Sequence, residues 1–489
     1  MQKIYLIILC LFFQVSWAQN ITVRIIDKNT KNPIPYATIK TGEYSGVISN
    51  EDGYFTIQAE GEDKTISISC MGYQTRELNI SDIQKLNNVI ALSEALNQLD
   101  EVYVSNKKPN VNEIIAKVKA NVDVNYSTEL YQYNLFKRST DYVDFKNLDF
   151  EIEKTSHVKD KNINQANKEL SEMGKQVIES NIKSFTDFKG TLYTFNKDSS
   201  KIAVEKATKL LDYKNDFSID NIEKKGKKIV LTYLDTTKTY KVKTGIFKIE
   251  DSMSLKDEEF KNDKKNEYNL KSANNNTRNL LKRSQFYKDS FMSKLLDTDY
   301  YEYELKDIGF NNGELTYIID FKPQKGKAKY SGTLYVADDS YAITRMDYNY
   351  YKNRHGDKFN LKLLLGIKYI ENHSEGTIIY DKDSSNVYQP KYIKRSSGSY
   401  FYVSRELKFI ENSAKKHKVR FDFTIEGDER EQEELLITSN SKLTKADFAA
   451  IPQEKKVPIQ VLSRYEKTLW ENEAILEPTL EMKAFESKQ

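Results

Sequence analysis

From residue 20 to about 105 the chain alternates apolar and polar positions in short runs. Ile21–Asp27, Pro35–Lys40, Gly46–Ser49, Tyr54–Ile57, Ile66–Cys70, Arg76–Ile80, Val89–Leu92 and Leu99–Val104 each read as a strand with one buried face. Polar turns separate them. Asn50–Glu51–Asp52–Gly53 is the tightest, and Gly53 is free to take a positive φ. Short strands at a spacing of roughly 8–12 residues predict an all-β sandwich over residues 19–105.

The period changes after Asn110. Val111, Ile114, Ile115, Val118 and Val122 share one helical face, with Asn110 placed to cap it and Glu113 three residues on. Extended, aromatic-rich sequence follows at Tyr131–Phe136. A second helix is predicted over Asn162–Ile182, with Ala166, Leu170, Met173, Val177 and Ile178 on one face, and a third over Ile202–Leu211. Residues 251–278 are crowded with Lys, Asn, Asp and Glu, and 261–276 read as a solvated loop or frayed helix. From Tyr301 onward strand follows strand: Leu315–Phe321, Leu334–Val336, Tyr348–Tyr350, a continuous apolar run over 361–370, Tyr388–Arg395, Tyr400–Val403, Leu407–Ile410 and Val419–Ile425. Such alternation predicts a large, curved antiparallel sheet with one face buried, and helices in such a chain cover the sheet. The expected organisation is a helix-containing α+β segment over 106–300 and an antiparallel β-rich region over 301–489, closed by an irregular strap. The fold class is mainly β.

The order of motifs in the first region carries a resemblance. Asn32–Pro33–Ile34–Pro35–Tyr36–Ala37, Gly46, Asn50–Glu51–Asp52–Gly53–Tyr54–Phe55 and Met71–Gly72–Tyr73 resemble the carboxypeptidase regulatory-like domain, a small transthyretin-like sandwich at the N-termini of exported Bacteroidota proteins. The resemblance implies a non-catalytic module, despite the family name. The helix and strand that follow resemble, more loosely, the start of the larger region of unassigned function in such proteins. Gly332–Val336, the Asp338–Asp339–Ser340 turn and Tyr341–Met346 are similar to a hairpin of periplasmic lipoprotein-carrier-like half-barrels, which implies a curved sheet around a helix and an apolar groove. Trp470 to Pro478 resembles a W-x-N-x-x-x-x-x-P ending of the same exported proteins.

The start of the chain gives its destination. A basic Met1–Gln2–Lys3, an apolar Ile4–Val15 and Ser16–Trp17–Ala18 read as a signal peptide, 1–18, cleaved before Gln19. The apolar stretch is short of the ~20 residues of a spanning anchor, and Leu9 before Cys10 is unsuited to a lipoprotein signal. Loss of Lys3 leaves 74 basic residues (75 − 1) against 72 acidic ones. That near-neutral balance gives no case for nucleic-acid binding. With Cys10 removed, Cys70 has no cysteine partner in the chain and is expected as a small buried apolar side chain. Tyrosine is in excess, 33 residues against 2 Trp, which suits half-buried strand faces.

Catalytic signals are sparse. His157, His355, His373 and His417 are the only histidines, none at metal-ligand spacing, and each is expected at the surface. There is no G-x-S-x-G, P-loop or G-x-G-x-x-G motif. The Asn50–Gly53 turn is not a calcium loop, because Ile48 and Ala59 stand where ligands are needed. Paired carboxylates can be distant in sequence; Asp338–Asp339 and Glu302–Glu304 are read as solvated. No catalytic, cofactor or metal residue is assigned, and no cofactor is expected.

The leading expectation is therefore a non-catalytic cell-envelope protein, exported to the periplasm or outer membrane, with the sandwich as docking or spacer module and the β-rich region as scaffold for an envelope protein, glycan or lipid partner. The alternatives are a small outer membrane β-barrel and a hydrolase with a dispersed acidic site.

Overall fold

The computed structural model describes residues 20–43, 45–58, 64–95, 109–127, 130–156, 159–180, 182–211, 237–245, 247–254, 266–311, 314–471, 473 and 475–486. The expected leader 1–18, the strand 99–104 and His157 lie outside them. The chain divides into two compact units: Met1–Asn106 with Ile308–Thr316 and Glu466–Lys483, and Lys107–Asp307 with Tyr317–Tyr465 and Ala484–Gln489.

In the first unit, β1 (Asn20–Asp27), β2 (Thr38–Lys40), β3 (Gly46–Ile48), β4 (Tyr54–Gln58), β5 (Thr65–Ser69), β6 (Arg76–Asn79) and β7 (Val89–Leu92) form two sheets, ordered β4-β1-β7 and β3-β2-β5-β6. Burial on β1 alternates strictly, so Ile21, Val23 and Ile25 point inward. They meet Ile39, Phe55, Ile66, Ile68 and Ile90 in one core shared by both sheets. The expected strand over Arg76–Ile80 stops one residue early, because Ile80 opens a short helix, α1 (Ile80–Lys85), that buries Ile80 and Ile83.

The Asn50 turn is a hairpin turn whose side chain is fully used. Asn50 Oδ1 accepts from the amides of Asp52 (3.0 Å) and Tyr54 (2.8 Å), and Gly53 adopts φ +77°. Asn50 Nδ2 donates to the carbonyls of Glu477 and Pro478, at 3.1 Å each. The C-terminal strap thus closes over this turn: Asp52 accepts from the Leu480 amide at 2.7 Å, Thr56 donates to the Glu477 carboxylate, and Lys483 pairs with Glu477 at 2.7 Å.

The second unit is built on one sheet of 14 strands. After α2 (Val111–Ala120), capped by Asn110 as its sequence predicts, come β8 (Tyr131–Thr155), α3 (Asp160–Ile178), β9 (Ile182–Thr194), β10 (Ser200–Leu210), β11 (Thr239–Thr244), β12 (Phe247–Ser254) and a short β13 (Glu267–Asn269). Next are α4 (Leu270–Lys282), α5 (Phe291–Leu295), β14 (Tyr301–Asn311), β15 (Glu314–Pro323), β16 (Tyr330–Ala337), β17 (Ile343–Tyr350) and β18 (Lys358–Leu361). A one-turn α6 (Lys362–Leu365) leads to β19 (Ile367–Lys382), β20 (Tyr388–Glu411), β21 (Lys418–Lys442), β22 (Lys456–Pro458) and β23 (Gln460–Leu462). The path β14-β15-β16-β17-β19-β20-β21-β8-β9-β10-β23 is open at both ends among the described residues. The strands before residue 300 and those after it belong to this same sheet.

α3 lies on the far halves of β8, β20 and β21. Its Ala166, Leu170, Met173 and Val177 pack with Phe145, Phe150, Ile152, Phe409 and Phe421. Ile178, expected on that face, is instead partly exposed at the helix end. Where β8 meets β9 on one side and β21 on the other, polar side chains are buried. Arg138 grips Asp187 with two hydrogen bonds, 2.9 and 2.7 Å, and Lys137 pairs with Glu433 at 2.9 Å. Buried tyrosines find partners for their hydroxyls: Tyr126 donates to the Ile343 carbonyl (2.8 Å), Tyr133 to Gln389 (3.1 Å) and Tyr392 to Glu434 (2.7 Å).

Three expectations are corrected here. The helix over Ile202–Leu211 is β10, whose bulge between Val204 and Lys206 shifts the inward face, so buried Ile202, Ala207 and Leu210 mimic helical spacing. The polar stretch ending at 276 contains the start of α4, an ordered helix that buries Leu270, Ala273 and Thr277. The apolar run 361–370 is broken by α6 and Gly366 rather than extended throughout.

Two stability outcomes follow. Asn50→Ala removes four hydrogen bonds in a buried site and should cost roughly 1–3 kcal/mol, with Asn50→Asp no better because a carboxylate cannot donate to two carbonyls; urea unfolding followed by the fluorescence of Trp470, the only tryptophan after residue 18, reads this. Asp187→Ala strands a buried guanidinium and should cost about 3–5 kcal/mol, whereas replacing both Arg138 and Asp187 by apolar residues of similar volume should recover most of that loss. Equal losses in the single and double variants would show that the ion pair itself stabilises the fold, and that the loss does not come from a stranded charge.

Candidate functional site

The residues singled out by sequence are scattered. Cys70 is partly buried against the core of the sandwich rather than fully enclosed. Glu302 and Glu304 are exposed on β14, as expected, with Glu302 paired to Lys322 at 3.2 Å. Asp338 and Asp339 occupy a turn, where Asp338 accepts a hydrogen bond from Tyr317. The three described histidines are half-buried, not fully exposed: His417 lies 3.4 Å from the Ser156 hydroxyl, and His355 and His373 are brought to one cleft. That convergence is invisible in the sequence, because it arises from the pairing of β17, β18 and β19 and the loop between the first two.

The cleft has a volume of about 460 Å³ and opens to solvent. Its lining is polar: Asn349, Asn353, Asn372, Arg354, His355 and His373 are among its residues, with Glu375 at one side. Glu371 frames the loop. Its carboxylate accepts from the Tyr350 hydroxyl (3.0 Å), and its backbone pairs with Gly356 (2.8 Å) and Asp357 (2.9 Å). Arg354 is tied to the Gly326 carbonyl at 3.1 Å. Burial, then the neighbouring Tyr330 and Glu371, push the Tyr350 hydroxyl well up, so it stays a neutral donor. The β19–β20 ladder bulges between Glu371 and His373, which re-aims the side chains at this point.

His373 holds its place through Nε2, 3.1 Å from the Ser396 hydroxyl and 3.7 Å from Glu375. Burial pulls its pKa down, with Glu375 working the other way and Arg430 and Lys394 adding to the depression. A serine–histidine–acid relay needs the serine on one ring nitrogen and the acid on the other. Here both meet the same nitrogen, and Ser396 is buried, so the geometry is one of positioning, not proton relay. A neutral imidazole in this setting offers a hydrogen-bond donor and an acceptor.

A pair of carboxylates occurs elsewhere on the sheet. Asp422 on β21 and Glu153 on β8 share a hydrogen bond, and Arg420 bridges Glu153 and Glu406 at 3.0 Å each. Partial burial, then Glu153, raises the Asp422 pKa to about 6, while Arg420 first of all holds Glu153 low. The shared proton therefore sits on Asp422. Direct contact is closer than the ~5–9.5 Å that separates glycosidase carboxyls. The two lie far apart in sequence, and only the register of β8 against β21 unites them.

This pair has a signed pH consequence. The folded-state pKa of Asp422 lies above its unfolded value, so its contribution is fully present below about pH 4 and is lost as pH rises through about 6. Asp422→Asn mimics the protonated form permanently. The variant should match the parent in thermal stability near pH 4 and exceed it at pH 7 by about 1 kcal/mol or less, given solvent screening. Thermal melts across pH 4–8 check this, and a constant difference would show that the two carboxylates do not share a proton.

Residues 21–104 match the family model of the CarboxypepD_reg-like domain. That domain is a non-catalytic, immunoglobulin-like module. No curated protein matches the chain.

Proposed function

We propose that this chain is a non-catalytic, exported cell-envelope protein whose sandwich serves as a docking or spacer module and whose large sheet binds a glycan in the cleft at His355 and His373. The signal-like start of the chain supports export. The observation that carries the binding role is the cleft itself. Asn349, His355, His373 and Arg354 are held by backbone and side-chain partners, and the mixed donors and acceptors of the cleft match the vicinal hydroxyls of a sugar. Both contacts of His373 fall on one nitrogen, which favours recognition over acid–base work.

Binding of the mature chain to immobilised oligosaccharides tests this. Saturable binding is expected, weakened about tenfold or more by Asn353→Ala or His373→Ala, in line with the loss of a buried polar contact. No binding, or binding indifferent to both substitutions, would sink the reading. Release of reducing ends by the parent protein, lost in Asp422→Asn, would favour a hydrolase instead.

A further inference from the structure

A different surface carries an interaction of its own. Between β18 and β19 the chain turns through α6, and four apolar side chains face solvent there: Phe359 (45% exposed), Leu361 (40%), Leu363 (102%) and Leu364 (82%). Single exposed apolar residues need no explanation, but four within six residues, two of them adjacent and almost wholly exposed, form a protruding apolar tip.

The tip is built rather than loose. Gly366 takes the left-handed conformation (φ 62°, ψ 27°), and its amide closes the turn on the Lys362 carbonyl at 3.0 Å. Its carbonyl accepts from the Ser404 amide of β20 at 2.8 Å, and a Cβ at this position would meet the Ser404 oxygen at 2.1 Å. The conformation that turns the leucines outward is thus written into the sequence.

Charge and aromatic residues collar this tip. Residues 358–369 hold Lys358, Lys362 and Lys368 and no acidic residue. Lys362 Nζ sits 3.9 Å above the Tyr402 ring, Lys368 Nζ sits 4.8 Å above Tyr400, and Phe359 stacks on Tyr369 at 5.6 Å. Leucines outermost, aromatic rings behind them and lysines around the rings follow the order of a bilayer from acyl chains to interface to anionic headgroups. Leu363 and Leu364 protrude almost wholly into solvent, and the lysines around them complement an anionic surface. No helix among the described residues is long and apolar enough to cross a membrane, and this tip needs only to reach the acyl boundary.

We infer that the β18–α6–β19 hairpin docks this protein on the surface of an anionic phospholipid bilayer, with Leu363 and Leu364 inserted and Lys358, Lys362 and Lys368 at the headgroups. The inference goes beyond the glycan cleft, and the two fail separately, since vesicles carry no sugar.

Flotation of the mature chain with vesicles of phosphatidylethanolamine and phosphatidylglycerol, against vesicles of phosphatidylcholine alone, tests it. Binding to the anionic vesicles should fall at least about tenfold in the double variant Leu363→Ser, Leu364→Ser, and in the triple Lys→Gln variant at 358, 362 and 368. All these side chains lie outside the core, so unchanged thermal melts will verify folding. Leu363→Trp gives a second readout, a blue shift of the new tryptophan on anionic vesicles and protection from an aqueous quencher. No vesicle binding, equal binding by the Leu→Ser variant, or a tryptophan that stays in water would overturn the inference. So would concentration-dependent self-association abolished by the Leu→Ser pair in the absence of vesicles, which would make the tip a contact between copies.

Discussion

The ladder of β20, β21 and β8 is the constraint on which the second unit depends. These strands run 24, 25 and 25 residues and stay paired for nearly their whole length. At about 3.3 Å per residue each spans roughly 80 Å, far more than one helix can cover. The sheet therefore cannot have a single core. α3 covers one stretch and α4 another, and the bulge opposite Glu426 and Gly427 keeps Phe145 on the same inward face as Leu148, Phe150 and Ile152. Everything else in this unit, from the cleft to the hairpin tip, hangs on the register of those three strands.

A sheet covered in patches must bury polar groups where patches meet. Arg138 with Asp187 and Lys137 with Glu433 are such places, and each charge is paired at hydrogen-bond distance. The tyrosine excess serves the same end. A tyrosine ring fills apolar space while its hydroxyl reaches a carbonyl or carboxylate, as Tyr126, Tyr133, Tyr380 and Tyr392 do. Arg283 shows the converse. Half-buried between Phe291 and Tyr348, at 4.2 and 5.3 Å from their ring centres, it is held by aromatic faces and by the Tyr348 hydroxyl. Unpaired, any of these groups would oppose folding.

Local signals made much of this legible. Period-two alternation on β1 and the Asn110 cap of α2 are written in adjacent residues, so the sandwich and the first long helix could be read directly. β10 carries a helix-like local pattern, because its bulge turns period two into something near the helical period. α4 was obscured because its polar face is rich in Asn and Lys while its buried face is narrow, Leu270, Ala273, Thr277 and Leu280. The cleft and the Glu153–Asp422 pair had no local signal. They are made by register between segments distant in sequence, and a residue's neighbours along the chain say nothing of that. The hairpin tip is the opposite case: Leu363–Leu364–Leu365 reads as core, and only the one-turn helix and left-handed Gly366 put two of its leucines in water.

β19 shows how one strand carries three kinds of chemistry. It leaves the apolar tip at Ile367, passes the polar cleft at Ile370–Glu375, and enters the closed core at Ile378–Tyr380. A regular strand would hold one face inward along its length. Here the bulge between Glu371 and His373, with Asn372 as its extra residue, breaks that phase, and opposite Ile379 and Tyr380 it is β20 that bulges, at Lys391. The first bulge is what frees Asn372 and His373 from the alternation of the buried end. The surfaces that face outward are thus positioned by departures from regular pairing. Their precision rests on the neighbouring β20, which is held along its other edge by β21.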